Sequence, residues 1–263
     1  MILYILTVVS ILAIFVLCFT GIVHSIVLAP IIAIGMFILL VLLWCLSAFI
    51  YTRSIDLKKE YDEYSAVSRY YANNIIDSLN IILNIKVHVS GLDILPDEKF
   101  LFVCNHRSAM DPLITMGILR DYNMGFVAKK SIYKVPVIAN LMHRCYCLCL
   151  DRKNIREEAK TILRAGKLVK EQRASIGIYP EGTRNKGEGL LPFLGGSFKI
   201  AKKANAPIVV ASIKNPEKIF KDTIFKKTHV YLDFLQVIDK EFVASHNTTE
   251  LSEEARQIIA EKL

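Results

Sequence analysis

The chain has 263 residues, 53% of them hydrophobic, and carries 33 Lys and Arg against 25 Asp and Glu for a formal net charge of +8. That hydrophobic content excludes a disordered chain, and six cysteines over this length are too sparse for a disulfide scaffold. The charge is unevenly placed, because positions 1–52 contain no Asp, Glu, Lys or Arg.

Ile2 to Thr20 is an almost unbroken apolar run of about 19 residues, roughly 28 Å as a helix, which matches the hydrocarbon thickness of a bilayer. Gly21 to Ser25 interrupts it, and Ile26 to Tyr51 is a second, longer run. A cleaved signal peptide would carry basic residues ahead of the first run; none is present, and the second run would still anchor the product. Arg53, Lys58 and Lys59 follow the second run, so the positive-inside rule puts the remainder of the chain in the cytoplasm. The expectation for 1–52 is a membrane-anchoring helical hairpin that either spans or dips into one leaflet.

Asp56 to Asn84 places Tyr64, Val67, Tyr71, Ile75, Leu79 and Ile82 at helical spacing, which predicts an amphipathic connecting helix over 53–84. From there strands and helices alternate. Ile85–Val89 and Leu101–Cys104 read as strands, Pro112–Leu119 as a helix, Gly125–Ala128 as a strand, Val137–His143 as a short helix and Cys145–Leu150 as a strand. Asn154 and Glu157 make a capping box for a helix with Ile155, Ala159, Ile162, Gly166 and Val169 on one face. Ser175–Tyr179 is the next strand, followed by a Gly-rich loop, a basic helix over Gly196–Asn205, the strands Pro207–Ile213 and Thr228–Ile238, and a closing helix capped by Thr248 or Thr249. The pattern predicts one α/β domain over 85–263, a mixed sheet with helices packed on it.

Two motifs carry chemistry. Asn105-His106 and Asp111 surround a turn between a strand and a helix that Pro112 is suited to open. An imidazole titrates near neutrality and can take a proton from an alcohol, while a carboxylate on its far nitrogen fixes the tautomer. Five residues apart on one helix the two side chains would diverge, so only a turn lets them meet. The bland reading makes Asp111 an N-cap and His106 a satisfied strand-end histidine. Glu181-Gly182-Thr183-Arg184 follows another strand, where α/β loops carry binding groups.

Cysteine offers the rival chemistry. Cys145, Cys147 and Cys149 alternate along one strand near His143, but they lack the ligand spacing of a zinc site and read as core thiols. Cys104 beside His106 is an alternative nucleophile. Neither a metal nor a cofactor is expected. The basic balance shows no nucleic-acid module and suits anionic headgroups, coenzyme A or an acidic carrier protein.

In combination these blocks resemble the glycerolipid acyltransferases typified by lysophosphatidic acid acyltransferase. The likeness rests on Asn105-His106-x4-Asp111, on Asp151-Arg152 ending a strand, on Glu181 to Arg184, and on the strand opened by Pro207. It extends from near Val87 to near Val237. The chain departs from the family's usual residues at Ser131-Ile132 and Ala139-Asn140, in the region expected to shape the acceptor site. The resemblance implies acyl transfer from an acyl thioester, on coenzyme A or acyl carrier protein, to the free hydroxyl of lysophosphatidic acid at the membrane, giving phosphatidic acid, with another lysophospholipid as the alternative acceptor. His106 and Asp111 are then the base and its orienter, and Asn105, Lys129, Arg152, Glu181, Gly182, Thr183 and Arg184 the substrate-binding set. A non-catalytic lipid-binding scaffold is the competing class.

Overall fold

The computed structural model describes residues 1–23, 25, 27–151, 153–221 and 225–263. They form two compact units, Met1–Asp56 and Leu57–Leu263.

In the first unit α1 (Ile2–Phe19) packs against α2 (Leu28–Arg53), and each is long and apolar enough to cross a membrane. The serine and threonine hydroxyls in these helices turn back on their own backbone: Thr7 donates to the Leu3 carbonyl, Ser10 to Leu6, Ser47 to Trp44 and Thr52 to Phe49. A polar group satisfied in this way does not need water, which makes it tolerable in lipid.

The second unit opens differently from the expected helix. Helix α3 is confined to Ala66–Ile82, with the Ser65 hydroxyl accepting from the Ser68 N–H at 3.2 Å. Ahead of it, residues 57–65 form an irregular strap whose carbonyls are taken by side chains from later in the chain. His143 Nε2 reaches the Lys59 carbonyl at 2.7 Å, Arg144 the Glu63 carbonyl at 3.0 Å, and Arg173 the Asp62 carbonyl at 2.7 Å. Long-range donors thus replace the local bonds a helix would have made, and tertiary context overrides the periodicity.

Seven strands form one mixed sheet: β1 (Ile85–Ser90), β2 (Leu101–Cys104), β3 (Gly125–Lys129), β4 (Leu148–Leu150), β5 (Ile176–Ile178), β6 (Ile208–Lys214) and β7 (Thr228–Ile238). Their spatial order is β1-β7-β6-β2-β5-β3-β4, with every neighbouring pair parallel except β6 and β7. Strand β4 begins three residues later than expected, since Tyr146 is in the left-handed region at φ 61° and breaks the extension.

The central strands read as near-continuous apolar runs because both faces are covered. Phe100, Phe102, Phe126, Val209 and Phe234 pack on one face under α3, α4 (Asp111–Ile118) and α5 (Pro136–Arg144). Leu101, Val103, Ile176, Ile208 and Val210 pack on the opposite face under α6 (Ile155–Lys170), α7 (Lys199–Ala204), α8 (Lys240–Ser245) and α9 (Thr248–Ala260). Removing a ring such as Phe102, which is fully buried, costs about 3–5 kcal/mol. On α6 the buried stripe is Ile162, Ala165, Gly166, Leu168 and Val169, whereas Ile155 and Ala159 stand exposed at its start. Asn247 caps α9, in a full capping box with Glu250, in place of the neighbouring threonines.

Candidate active site

Sheet order decides what the strand ends bring together. Because β2 lies between β5 and β6, with Val103 level with Ile178 and Cys104 level with Ala211, the chain leaving β2 runs beside the chain leaving β5 and the end of β6. This is the carboxyl edge of the parallel strands, where α/β folds place their sites.

The turn after β2 is held from both sides. Asn105, almost fully buried, donates its amide to the Ile213 carbonyl at 3.0 Å and accepts from the Ile213 N–H at 2.8 Å. Its side chain therefore continues the ladder to β6 by one more pair of bonds. Opposite it, Glu181 accepts from the His106 backbone N–H at 2.7 Å and from the Leu191 N–H at 3.0 Å. The His106 carbonyl accepts from the Asn185 N–H at 2.8 Å. Gly182 turns the chain at φ 71°, a conformation that favours glycine.

Within that frame His106 Nδ1 lies 2.8 Å from Asp111 Oδ2. The same oxygen accepts from the backbone N–H groups of Arg107 at 2.7 Å and Ser108 at 2.8 Å, so Asp111 closes the turn as well as holding the imidazole. Its side chain is fully buried, whereas that of His106 is 18% exposed. Burial pushes the Asp111 carboxyl above its ordinary range, against the opposing hydrogen bonds from His106, Ser108 and Arg107. An ionised carboxylate can only accept, so Nδ1 carries the ring proton and Nε2 presents its lone pair. Nε2 has no hydrogen-bond partner among the described residues.

Of the nine site residues expected from the sequence, His106, Asp111, Asn105 and Glu181 converge here, with Gly182 beside them. Thr183 and Arg184 are exposed on the following loop, and Lys129 is exposed at the end of β3. Arg152 lies outside the described residues. Three participants escaped the motif reading. Arg107 donates to the Gly187 carbonyl at 2.7 Å and lies 3.7 Å from Glu217, tying three loops of the rim together. Asn185 braces His106, and the Tyr179 ring stacks on the imidazole. No periodicity or spacing signals these, since each depends on which strands are neighbours.

Of the cysteines in the second unit, Cys104, Cys145 and Cys147 are buried and Cys149 is half-buried. Cys104 is fully buried, and burial, then the charges of Asp111 and Glu181, push its thiol well above the ordinary range, which disfavours the thiolate a nucleophile needs. Cys147 is pushed up to about 12 by burial. Among the described residues no cluster of three or more His, Cys, Asp or Glu has metal-binding geometry.

A sequence profile of the family described as Acyltransferase matches residues 86–214. A 1-acyl-sn-glycerol-3-phosphate acyltransferase of Borreliella burgdorferi is 32% identical over 187 residues, 69% of this chain and 73% of that protein. The protein of the same name from Escherichia coli is 28% identical over 163 residues, 62% of this chain and 66% of the relative. Among solved structures, the 1-acyl-sn-glycerophosphate (LPA) acyltransferase of Thermotoga maritima superposes with a TM-score of 0.62 over 99% of this chain and 95% of its own, at 20% identity. At that identity the likeness speaks for the fold.

Proposed function

Because the chain belongs to the 1-acylglycerol-3-phosphate acyltransferase family, we propose that it transfers a fatty acyl group from an acyl thioester to the free hydroxyl of lysophosphatidic acid, forming phosphatidic acid. The observation that carries this reading is the 2.8 Å bond from His106 Nδ1 to a fully buried Asp111, which leaves Nε2 as a base at the carboxyl edge of the sheet.

The acceptor hydroxyl gives its proton to His106 Nε2 as its oxygen attacks the thioester carbonyl carbon. The tetrahedral intermediate then collapses with cleavage of the C–S bond, and the imidazolium returns the proton to the departing thiolate. Asp111 stays ionised, keeps the tautomer and stabilises the imidazolium. The acyl group passes directly to the acceptor; the sequence has no nucleophile-elbow serine, and Cys104 is buried beneath the site.

The acceptor reading rests on charge. A phosphate monoester carries close to two negative charges, and the exposed rim offers Lys129 and Arg184, while Arg152, the third cation expected from the sequence, lies outside the described residues. A phosphodiester headgroup carries one charge and more bulk. The donor is acyl-coenzyme A or acyl carrier protein, and the catalytic domain works at the cytoplasmic face, where Arg53, Lys58 and Lys59 follow the second span.

The test is an acceptor panel with the purified full-length chain in vesicles. Rates to lysophosphatidic acid, glycerol 3-phosphate, lysophosphatidylglycerol and lysophosphatidylcholine are compared with each donor in turn. Preference for lysophosphatidic acid is expected. Preference for a diester would replace the acceptor, and no transfer to any of the four from an intact donor would overturn the catalytic reading.

A further inference from the structure

Asp111 holds the edge of the His106 ring, and a second group holds its face. The Tyr179 ring lies nearly parallel to the imidazole, with centroids 4.4 Å apart and 21° between planes. Tyr179 stacks in turn on Phe126, at 5.7 Å and 12°, and Phe126 meets Phe102 edge-on at 6.2 Å. This aromatic column has room because β5 carries Gly177, where a Cβ would stand 2.2 Å from the Phe126 ring. The sheet thus leaves out one side chain so that Phe126 can seat against Tyr179, and Tyr179 against the imidazole.

The phenol end of Tyr179 points away from solvent. Its hydroxyl is buried beside the Thr115 side chain, which opposes the phenol's upward shift as a hydrogen-bond partner, and near the Asp111 carboxylate. Burial, then the Asp111 charge, push the phenol well above its ordinary range, so the ring stays neutral. The aromatic face of Tyr179 lies against the ring that becomes a cation during the reaction.

We propose that Tyr179 is a positioning residue for His106, its ring fixing the imidazole plane and stabilising the imidazolium formed when Nε2 takes the acceptor proton. This rests on His106 being the base. Other charged groups also surround the imidazole. Asp111 bonds Nδ1, Glu181 bonds the His106 backbone, and Arg107 follows in the chain with Glu217 beside it. None of them changes in the variants below, so a shift across the series reads the ring at position 179.

The experiment measures kcat and KM against pH for the full-length chain in vesicles. Tyr179→Leu keeps the site apolar but removes the stack. Its kcat should fall by about 10- to 100-fold, the loss expected when a catalytic group drifts by a fraction of an ångström to one ångström, with little change in KM for either substrate. Losing a stabiliser of the cation lets the imidazole stay neutral to lower pH. The acidic limb of kcat/KM should therefore move down by roughly half to one pH unit. Lost packing alone would lower the active fraction and leave the limb in place. Should Tyr179→Leu fail to fold, Tyr179→Phe and a series of progressively fluorinated phenylalanines at the same position decide the matter, since the fluorinated rings keep the shape of phenylalanine and weaken only the face. The faces of tyrosine and phenylalanine attract a cation about equally, so the limb should step downward from phenylalanine with each added fluorine. A limb that stays fixed across the series overturns the proposal, whatever happens to kcat. Substantial transfer by His106→Ala would instead overturn the base assignment itself, so the two failures are distinguishable.

Discussion

The rim of the sheet has an inner and an outer part, and they are built on opposite terms. In the inner part Asn105, Glu181 and Asp111 are buried, and each makes at least two hydrogen bonds to the turn around His106 or to its neighbours. In the outer part Lys129, Thr183 and Arg184 stand exposed. The inner groups hold their geometry before substrate arrives, so they supply preorganisation; on the proposed function the outer cations would be ordered only by the phosphate of the acceptor. Substitutions in the two parts should therefore fail differently, the inner ones in turnover or folding and the outer ones in acceptor affinity.

The largest effect belongs to the imidazole. His106→Ala should lower kcat on the order of 10³- to 10⁴-fold while the protein accumulates normally in the membrane, read by initial rates and by quantitative blotting. Asp111→Asn leaves the base in place but removes the acceptor that fixes its tautomer, and should cost about 10²- to 10⁴-fold. Its stability should move the other way. A carboxyl whose folded-state pKa is raised above its unfolded value of 3.8 opposes folding at neutral pH, and that opposition fades as pH falls through the folded-state value. The Asn variant should thus melt at or above the wild-type temperature at neutral pH, with any advantage shrinking on acidification. A clear loss of melting temperature at neutral pH would show that Asp111 chiefly stabilises the turn.

An intermediate effect is expected at the brace. Glu181→Ala leaves the backbone N–H groups of His106 and Leu191 without their acceptor, about 1–3 kcal/mol each, or several degrees of melting temperature. Activity should fall with stability, and a variant that melts normally yet turns over slowly would move Glu181 from brace to chemistry. The smallest effect belongs to the outer part. Arg184→Lys keeps the charge and loses the planar fork, so the acceptor KM should rise roughly tenfold with kcat and the donor KM held. An unchanged acceptor KM would remove Arg184 from the phosphate site.

How far the molecule could be read from its sequence follows the range of the contacts involved. The His106–Asp111 pair was legible because it is local: five residues, a strand before it and Pro112 behind it leave few ways for the turn to close. The family resemblance fell on the same blocks, since the loops they occupy gather at one edge of the sheet. Tyr179 was not legible as a partner of His106, because their contact exists only where β2 and β5 are neighbours. The strap over 57–65 misled for the same reason. Of the residues at helical spacing it holds only Tyr64, and its carbonyls are taken by His143, Arg144 and Arg173 from far along the chain. Tyr146 shows the limit of alternation as a strand signal, since one left-handed residue ends the extension while the apolar pattern continues.

The position of β1 in the sheet also bears on how the protein is made. Among the described residues its neighbour in the sheet is β7 alone, so Ser90 waits for Asp233, 143 residues further on, before the edge can pair. At translation rates of about 5–20 residues per second, that is a delay of roughly 7 to 30 seconds. The two apolar helices precede the sheet in the chain and are complete throughout that interval, while the sheet is still unfinished at one side. On the membrane-anchored reading proposed above, the second unit would complete its folding as a tethered body, with the final stitch in the sheet made from β7.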